Sequence, residues 1–321
     1  MATIISKGDV IPRVLSDQAE MASAAYTNYN LYSATQYPWW CLNYFIGFWL
    51  LSTLASKFLE NCPVHTLRDS YRSLDSDKQN NVVVYIMQFF GTSAALMAQL
   101  FASVDIIFRW QETTTEARLN GLIFSILLIV VLYIWELIYR KKAPLSLLLD
   151  HFIIILVAQL ATSSFFDTHD IVYLRFTVFL GLHATVDQAS FIALLLFRLN
   201  LCQNWQTFWF HFSAAQSLLV KTLVTMFSLA YYLILVQDGS LSTSSWGWFW
   251  KVSMVMLLGL LYAVHVYACW VLYKLGVRCQ VSSSSPLQLE SQPTIPTIVK
   301  SSSKKTVASS EQGTIATSDD I

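Results

Sequence analysis

Charged residues are scarce in this sequence. Asp, Glu, Lys and Arg make up 12% of its 321 residues, and the formal net charge is zero. Soluble domains carry about 25% charged residues, so the composition argues against a soluble domain. The lack of a positive excess also removes the usual basis for nucleic-acid binding, and none is expected.

Cysteine is scarce too, and its pattern excludes two kinds of site. The five cysteines form an odd set without the paired spacings of a disulfide framework or a zinc site. The sequence also contains no Asn-x-Ser/Thr glycosylation sequon. We therefore predict neither a disulfide-stabilised fold nor a bound metal or other cofactor.

Apolar residues, by contrast, make up 55% of the chain and are concentrated in seven long segments. A bilayer core about 30 Å thick is crossed by about 20 apolar residues in a helix. The sequence therefore predicts an all-α polytopic membrane protein with seven transmembrane helices. The predicted spans are 37–59, 82–104, 121–139, 145–164, 171–197, 208–236 and 246–275.

The twenty Lys and Arg residues are distributed unequally over the two faces of such a bundle. Thirteen fall on the face that holds the loops 60–81, 140–144 and 198–207 and the C-terminal tail, whereas four fall on the opposite face. Because positively charged loops stay in the cytosol, we predict a lumenal or extracellular N-terminal segment, 1–36, and a cytosolic C-terminus. The membrane domain between them is 37–279.

The C-terminal tail, 280–321, has a different composition. It is rich in Ser and Thr and contains few apolar residues. Because such a segment buries too little apolar surface to fold, it is predicted to be disordered.

Several polar and ionisable side chains lie within the predicted spans. Such residues are costly in hydrocarbon and mark a functional site or a cavity by default. At about 1.5 Å per helical residue, they reach overlapping depths, biased toward the cytosolic half. The pattern predicts one polar cavity that opens to the cytosol. The residues are Gln88, Glu136, His151, His183, Asp187, Lys221 and His265.

Two carboxylates near the cytosolic ends of spans have simple structural explanations. Glu136 precedes Arg140 by four residues, so it either forms an ion pair within its helix or lines the cavity. Asp150 lies early in its helix, where a carboxylate complements the helix dipole. We expect it to meet Lys141 or Lys142.

The deeper residues have alternative interpretations. Asp187 follows His183 by four residues and shares its helix face. It either orients that imidazole or pairs with His151 on the neighbouring helix. Lys221 is either the counter-ion of Asp187 or the binding group for an anionic headgroup. His265 is expected to be a hydrogen-bonded histidine of the core.

Four stretches of the sequence carry a resemblance to a known membrane domain. They are 70–74 followed by 77–79, then 133–140, 147–151 and 182–198. Together they resemble the TLC domain, which is shared by ceramide synthases and translocating-chain-associating proteins. The resemblance covers roughly 66–275. It implies a TLC-like helical bundle, a role in lipid handling and a location in the endoplasmic reticulum membrane.

Two positions depart from the ceramide synthase pattern. The family often has two adjacent histidines where this chain has Asp150 and His151, and no second aspartate accompanies Asp187 at the matching spacing. The sequence therefore resembles the lipid-handling members that lack the ceramide synthase signature.

The resemblance predicts a TLC-type protein that binds lipid in an intramembrane cavity and takes part in membrane lipid homeostasis. Gln88, Glu136, His183 and Lys221 are the predicted cavity residues. Membrane lipids are the predicted partners, and the sequence identifies no protein partner.

Two other functions are alternatives. In an acyl-CoA-dependent lipid acyltransferase, His151 would act as general base and Asp187 would orient it. Acyl-CoA would then be a second partner. A transporter or a receptor built on the same seven helices is the remaining alternative.

Overall fold

Every regular element in the described part of the chain is an α-helix. The computed structural model describes residues 36–108, 116–140, 142–168, 171–201, 203–237 and 245–284. The first helix, α1, comprises residues 36–60. The others are α2 His65–Arg72, α3 Ser76–Phe108, α4 Glu116–Tyr139, α5 Leu145–Thr168, α6 Ile171–Thr185, α7 Gln188–Arg198, α8 Gln203–Gln237 and α9 Ser245–Ser284.

Five helical segments within these ranges are long and apolar enough to cross a membrane. They are Ser76–Ser103, Ala117–Tyr139, Val178–Arg198, Trp205–Ile234 and Val252–Gln280, and a further apolar segment, Leu145–Leu160, is shorter. Large apolar side chains cover the outer surface: Phe58 is 64% exposed, and Met97 and Met256 are each 70% exposed. Such a surface is disfavoured in water and suits hydrocarbon. The chain is therefore an α-helical integral membrane protein.

Each of the seven predicted apolar segments falls on helical structure, but several boundaries differ. α3 begins at Ser76, before the predicted start at 82, and α9 continues to Ser284, so residues 280–284 are helical rather than disordered. The rest of the predicted tail, from 285, and the predicted N-terminal segment up to residue 35 lie outside the described residues.

The predicted loop 60–81 contains a short helix, α2. Leu67 and Tyr71 are four residues apart, which places them on one helix face. Tyr71 is buried, and its hydroxyl lies 3.1 Å from the Ser56 hydroxyl of α1. The sequence carried this amphipathic signal, and α2 packs its apolar face against the end of α1.

The fifth predicted span, 171–197, is interrupted. α6 ends at Thr185 and α7 begins at Gln188, so Val186 and Asp187 stand between two helices. The Gln216 side chain of α8 donates to the freed Val186 carbonyl at 3.0 Å. Polar side chains satisfy a broken backbone in this way within membranes, and the break positions Asp187 in the bundle interior.

The helices pack as antiparallel neighbours. The core joins α3 to α4, α5 to α6 and α8 to α9, with α7 against α3 and α8. α1 packs on α4 through aromatic pairs, including Phe48 with Trp135 and Tyr44 with Phe124. A tight turn at Asn200, whose φ of 49° is left-handed, separates α7 from α8, and asparagine tolerates that conformation.

One end of the bundle is used below as a reference. It is the end at which α4 passes into α5 and at which Arg140 and Arg198 lie, and we name it the basic end. α4, α6 and α9 run toward it, whereas α5 runs away from it.

Candidate functional site

A buried polar network begins at Glu136 of α4. Its carboxylate lies 2.7 Å from the Arg140 guanidinium and 2.8 Å from His151 Nε2 of α5. The side-chain amide of Gln88 on α3 donates to the same carboxylate. Glu136 and Gln88 are each 1% exposed. Three helices therefore meet at one carboxylate with no access to solvent.

The network continues from α5 to α9. His151 Nδ1 lies 3.6 Å from Asp150 Oδ2, and Asp150 Oδ1 lies 3.7 Å from His265 Nδ1. His265 Nδ1 is 3.0 Å from Lys221 Nζ of α8. Asp150 thus bridges two imidazoles from different helices.

The far end of the network is a partly buried ion pair. Lys221 Nζ lies 2.6 Å from Asp187 Oδ2, and the Ser217 hydroxyl donates to Asp187 Oδ1 at 3.0 Å. Asp187 is the residue before α7, where the helix dipole favours a negative charge. The interruption of the span therefore supplies both the position and part of the stabilisation of this carboxylate.

The charges of the network do not cancel when all of its histidines are neutral. Arg140 and Lys221 are two cations, whereas Glu136, Asp150 and Asp187 are three carboxylates, which leaves one negative charge. An uncompensated charge is strongly unfavourable in a buried site. A proton on a histidine restores neutrality. His151, between two carboxylates, is the place where such a proton gains the most.

Aromatic contacts hold the imidazoles in place. The His151 ring stacks on the Tyr133 ring with centroids 3.8 Å apart and planes 2° from parallel. His183 of α6 stacks on His265 of α9 with centroids 5.2 Å apart and planes 1° from parallel. The rings are therefore fixed by packing as well as by polar contacts.

An apolar crevice lies directly beside the network. It is narrow, with a free volume of about 30 Å³, and is lined by residues of α3, α4, α5, α6 and α9, among them Gln99, Ile129, Ile154, Leu180, Gly181 and Leu261. Two of its polar lining groups are already bonded: Ser125 donates to the Ala95 carbonyl at 2.9 Å, and Gln99 donates to the Val178 carbonyl. The remaining lining is hydrocarbon.

On three helices, a residue that lines the crevice lies three or four positions from a residue of the network. On α5, Ile154 lies three residues from His151, and on α9, Leu261 lies four residues from His265. On α6, Leu180 lies three residues from His183. Each step is about one helical turn, or 5.4 Å, and each leads away from the basic end. The polar network therefore closes one end of the apolar crevice.

A second groove lies on the outer side of the bundle, between α1 and α3. Its volume is about 750 Å³, and Phe48, Leu54 and Phe58 of α1 face Met87 and Phe90 of α3 across it. Its lining is almost wholly apolar. It is a lipid-facing surface feature and contains none of the predicted site residues.

The structure brings the predicted cavity residues into one cluster. Gln88 and Glu136 contact each other, and Lys221 is the counter-ion of Asp187, as one of the two interpretations predicted. His183 joins through its stack with His265. The i,i+4 ion pair of Glu136 is also present. These residues form a packed network at the end of the crevice rather than the walls of an open polar cavity.

The predicted contact between Asp187 and His151 is replaced by others. Asp187 bonds to Lys221 and Ser217, and three residues stand between it and His151 along the network; the carboxylates at His151 are Glu136 and Asp150. Asp150 lies near the imidazoles of His151 and His265, and Lys141, one of its two expected partners, lies outside the described residues.

Three residues have a larger part in the site than the sequence predicted. Tyr133 and Gln99 were not singled out, although Tyr133 lies one turn before Glu136. His265 is more than a core histidine, because it connects Asp150 to Lys221. Its mid-span position opposite a mid-span lysine was the available signal.

The described residues contain no group of three or more His, Cys, Asp or Glu side chains arranged to hold a metal ion. No protein-family model, no curated protein and no solved structure matches this chain. The arrangement of the site is therefore the basis for a functional proposal.

Proposed function

We propose that this chain is a TLC-type integral membrane protein of seven spans that binds a lipid in the apolar crevice and takes part in membrane lipid homeostasis. The single observation that carries the proposal is the apolar crevice closed at one end by a buried polar network. A lipid has the matching division into hydrocarbon and polar parts. The lining side chains of this narrow crevice separate to admit the lipid chain, and the polar part of the lipid points to the network.

The proposal also includes the orientation of the protein in the membrane. The basic end faces the cytosol, the N-terminus is lumenal and the C-terminus is cytosolic, because Lys and Arg concentrate at that end. The membrane is that of the endoplasmic reticulum, which the TLC resemblance implies. Protease protection of tags at the two termini tests this arrangement, and tags in the same compartment would exclude seven spans.

Photo-crosslinking tests the bound lipid. Cells that express the protein are fed a fatty acid with a diazirine and an alkyne, and the protein is purified and mapped for adducts after irradiation. We expect adducts on the crevice segments of α4 and α5. Ile154→Trp, which fills the crevice at a residue that is 6% exposed, should remove most of them.

The matched control lies on the same helix. Leu148 is 45% exposed, so Leu148→Trp adds the same side chain to the outer surface and should leave the crevice adducts unchanged. Equal labelling of the protein and both variants, or adducts confined to the outer surface, would contradict lipid binding in the crevice.

Acyl transfer is a second candidate because the carboxylates of Glu136 and Asp150 lie 2.8 Å and 3.6 Å from the two ring nitrogens of His151 and can orient the imidazole. In its neutral form, His151 would act as the general base on a lipid hydroxyl or amine, with Glu136 and Asp150 as the orienting groups. The purified protein would be given acyl-CoA and a lipid acceptor. Activity lost in His151→Gln but retained by the Leu148→Trp control would favour the enzyme over the binding protein.

A further inference from the structure

The groove between α1 and α3, which we name the outer groove, has room for a hydrocarbon chain. Its volume of about 750 Å³ lies within the range of about 300–1,000 Å³ that is usual for ligand pockets. Its lining residues Leu54, Phe58 and Phe90 are each more than half exposed on the outer surface of the bundle. A lipid of the bilayer therefore reaches the outer groove without a movement of the helices.

The length of the outer groove matches one leaflet of a membrane. Along α1 its lining extends from Phe48 to Leu59, which is about 16 Å at 1.5 Å per residue. Half of a bilayer core about 30 Å thick is about 15 Å. Phe48 lies at the middle of α1, and Ala94, the last lining residue of α3, lies near the middle of α3. The outer groove therefore runs from the middle of the bilayer to one of its surfaces.

This length favours an acyl chain over a helix of another protein as the occupant. A partner's transmembrane helix crosses the whole core with about 20 residues and would need a groove along the full length of α1 and α3. An acyl chain ends at the middle of the bilayer, as the outer groove does.

The other end of the outer groove lies at the basic end of the bundle. Leu67 of α2 is part of its lining, and the Tyr71 hydroxyl of α2 lies 3.1 Å from the Ser56 hydroxyl of α1. The Arg140 guanidinium lies 5.1 Å from the centre of the Tyr85 ring on α3, so α3 begins at the basic end. The amphipathic helix α2 is therefore at the level of the lipid headgroups.

Two cations near this end have no acidic partner. Lys57 immediately precedes the lining residue Phe58, and Arg72 ends α2, five residues after Leu67. Both side chains belong to exposed residues, and neither has an ion pair within the part of the chain that the structure describes. Long cationic side chains at a membrane surface attract anionic headgroups.

Most of the acidic residues nearby already have partners. Asp69 lies 3.2 Å from Arg68, and Asp75 lies 3.1 Å from Lys78. Asp77 also has a partner. Glu60 is the remaining acid between residues 57 and 78. Two unpaired cations beside one remaining acid leave a positive excess, which complements a headgroup with a net negative charge.

We propose that the outer groove binds an anionic phospholipid of the leaflet at the basic end. One acyl chain lies in the groove along α1 and α3, and the phosphate lies at the level of Lys57 and Arg72. In the proposed orientation this is the cytosolic leaflet, which carries anionic lipids. The site is separate from the crevice, and it goes beyond the proposed function.

Native mass spectrometry tests the preference for an anionic headgroup. The full-length protein is released from nanodiscs of equal parts dioleoyl phosphatidylcholine and dioleoyl phosphatidylglycerol, and the retained lipids are identified. The two lipids have the same acyl chains and differ in headgroup charge. We expect retained phosphatidylglycerol to exceed phosphatidylcholine about fivefold, the effect of about one cation near an anionic headgroup.

Tryptophan substitutions locate the retained lipid. Ala94→Trp fills the inner end of the outer groove at an exposed residue and should remove most of the retained phosphatidylglycerol. Leu54→Trp fills the groove from α1 and should have the same effect. Leu100→Trp adds the same side chain to an exposed position of α3 outside the groove, and it should leave retention unchanged.

Charge substitutions test the headgroup contact. The double variant Lys57→Gln with Arg72→Gln should still retain a lipid but should lose the preference for phosphatidylglycerol. Arg278→Gln removes an exposed cation of α9, also toward the basic end, and should keep the preference. Equal retention of the two lipids by the unsubstituted protein, or a preference that survives in the double variant, overturns the proposal.

The crevice variant Ile154→Trp separates this inference from the proposed function. If Ala94→Trp removes the retained lipid and Ile154→Trp keeps it, the outer groove is the site, whatever the crevice binds. If Ile154→Trp removes it and both groove variants keep it, the lipid lies in the crevice and this inference is overturned while the proposed function stands. Absence of any retained lipid also overturns it.

Discussion

Glu136 Oε2 and His151 Nε2 lie 2.8 Å apart and join α4 to α5 within the membrane domain. The two helices are connected by the five residues 140–144, so the contact is local in sequence as well as central in the fold. It places an imidazole between Glu136 and Asp150, and it makes His151 the position at which the network balances its charge.

The charge at position 151 should decide stability. His151→Leu leaves two buried carboxylates without a cation between them, and removal of one partner of a buried pair costs about 3 kcal/mol or more. His151→Lys restores a cation and should recover much of the loss. Thermal unfolding in detergent measures both variants. If Leu and Lys at this position are equally stable, His151 does not serve to balance charge.

The ion pair between Lys221 and Asp187 should show strong coupling. Lys221→Met leaves a carboxylate at the helix break without its cation, and we expect a loss of about 3 kcal/mol. The double variant Lys221→Met with Asp187→Asn removes both charges and should be more stable than Lys221→Met alone. A double-mutant cycle on unfolding free energies measures this. Additive effects would show that the two side chains do not depend on each other.

Two glycines of α9 should respond oppositely to the same substitution. A Cβ on Gly276 would lie 3.0 Å from His211 Nε2 and 3.1 Å from Phe210 Cβ, whereas a Cβ on Gly259 would meet nothing within 4 Å. Gly276→Ala should therefore lower stability by about 1 kcal/mol because α8 and α9 must separate.

Gly259→Ala is the matched control. Replacement of a helical glycine by alanine stabilises by about 0.5–1 kcal/mol where space allows. Unfolding temperatures of the two variants should move in opposite directions. A shift of the same sign in both would show that the α8–α9 contact is looser than the structure describes.

Asp75 at the start of α3 should make stability depend on pH. The backbone N–H of Lys78 donates to Asp75 Oδ1 at 2.9 Å, and this hydrogen bond, followed by the contact with the Lys78 side chain, lowers the pKa of the carboxyl below its ordinary 3.8. Because the pKa is lower in the folded state, the carboxylate stabilises the helix above that ordinary value. The contribution is lost as the pH falls through the folded-state pKa.

Two substitutions distinguish the helix-capping role of Asp75 from the role of its charge. Asp75→Ala should destabilise α3 at neutral pH, whereas Asp75→Asn keeps a capping oxygen and should remove only the dependence on acid pH. Unfolding temperatures between pH 3 and pH 7, compared for both variants, measure the difference. Parallel pH profiles of the protein and Asp75→Asn would contradict a role for this carboxyl.

The helical segments could be predicted from the sequence because each membrane helix is a long run of apolar residues. The helix break between α6 and α7 could not be predicted from the sequence. Residues 171–197 contain no proline, and the one glycine, Gly181, lies within α6. The chain is interrupted at Val186 because Gln216 of a different helix supplies the missing hydrogen bond. That partner is distant in sequence and is recognisable only after the helices are packed.

The sequence by itself determined that this is an α-helical membrane protein and which few polar side chains lie inside it, because apolar runs and misplaced charges are local properties of the chain. Only the tertiary structure decided which of those side chains meet. Glu136 meets His151, Asp150 meets His265 and Lys221 meets Asp187, since the rotation and order of helices set the partners. Those packing choices also created the crevice, whose boundary is made by five helices at once.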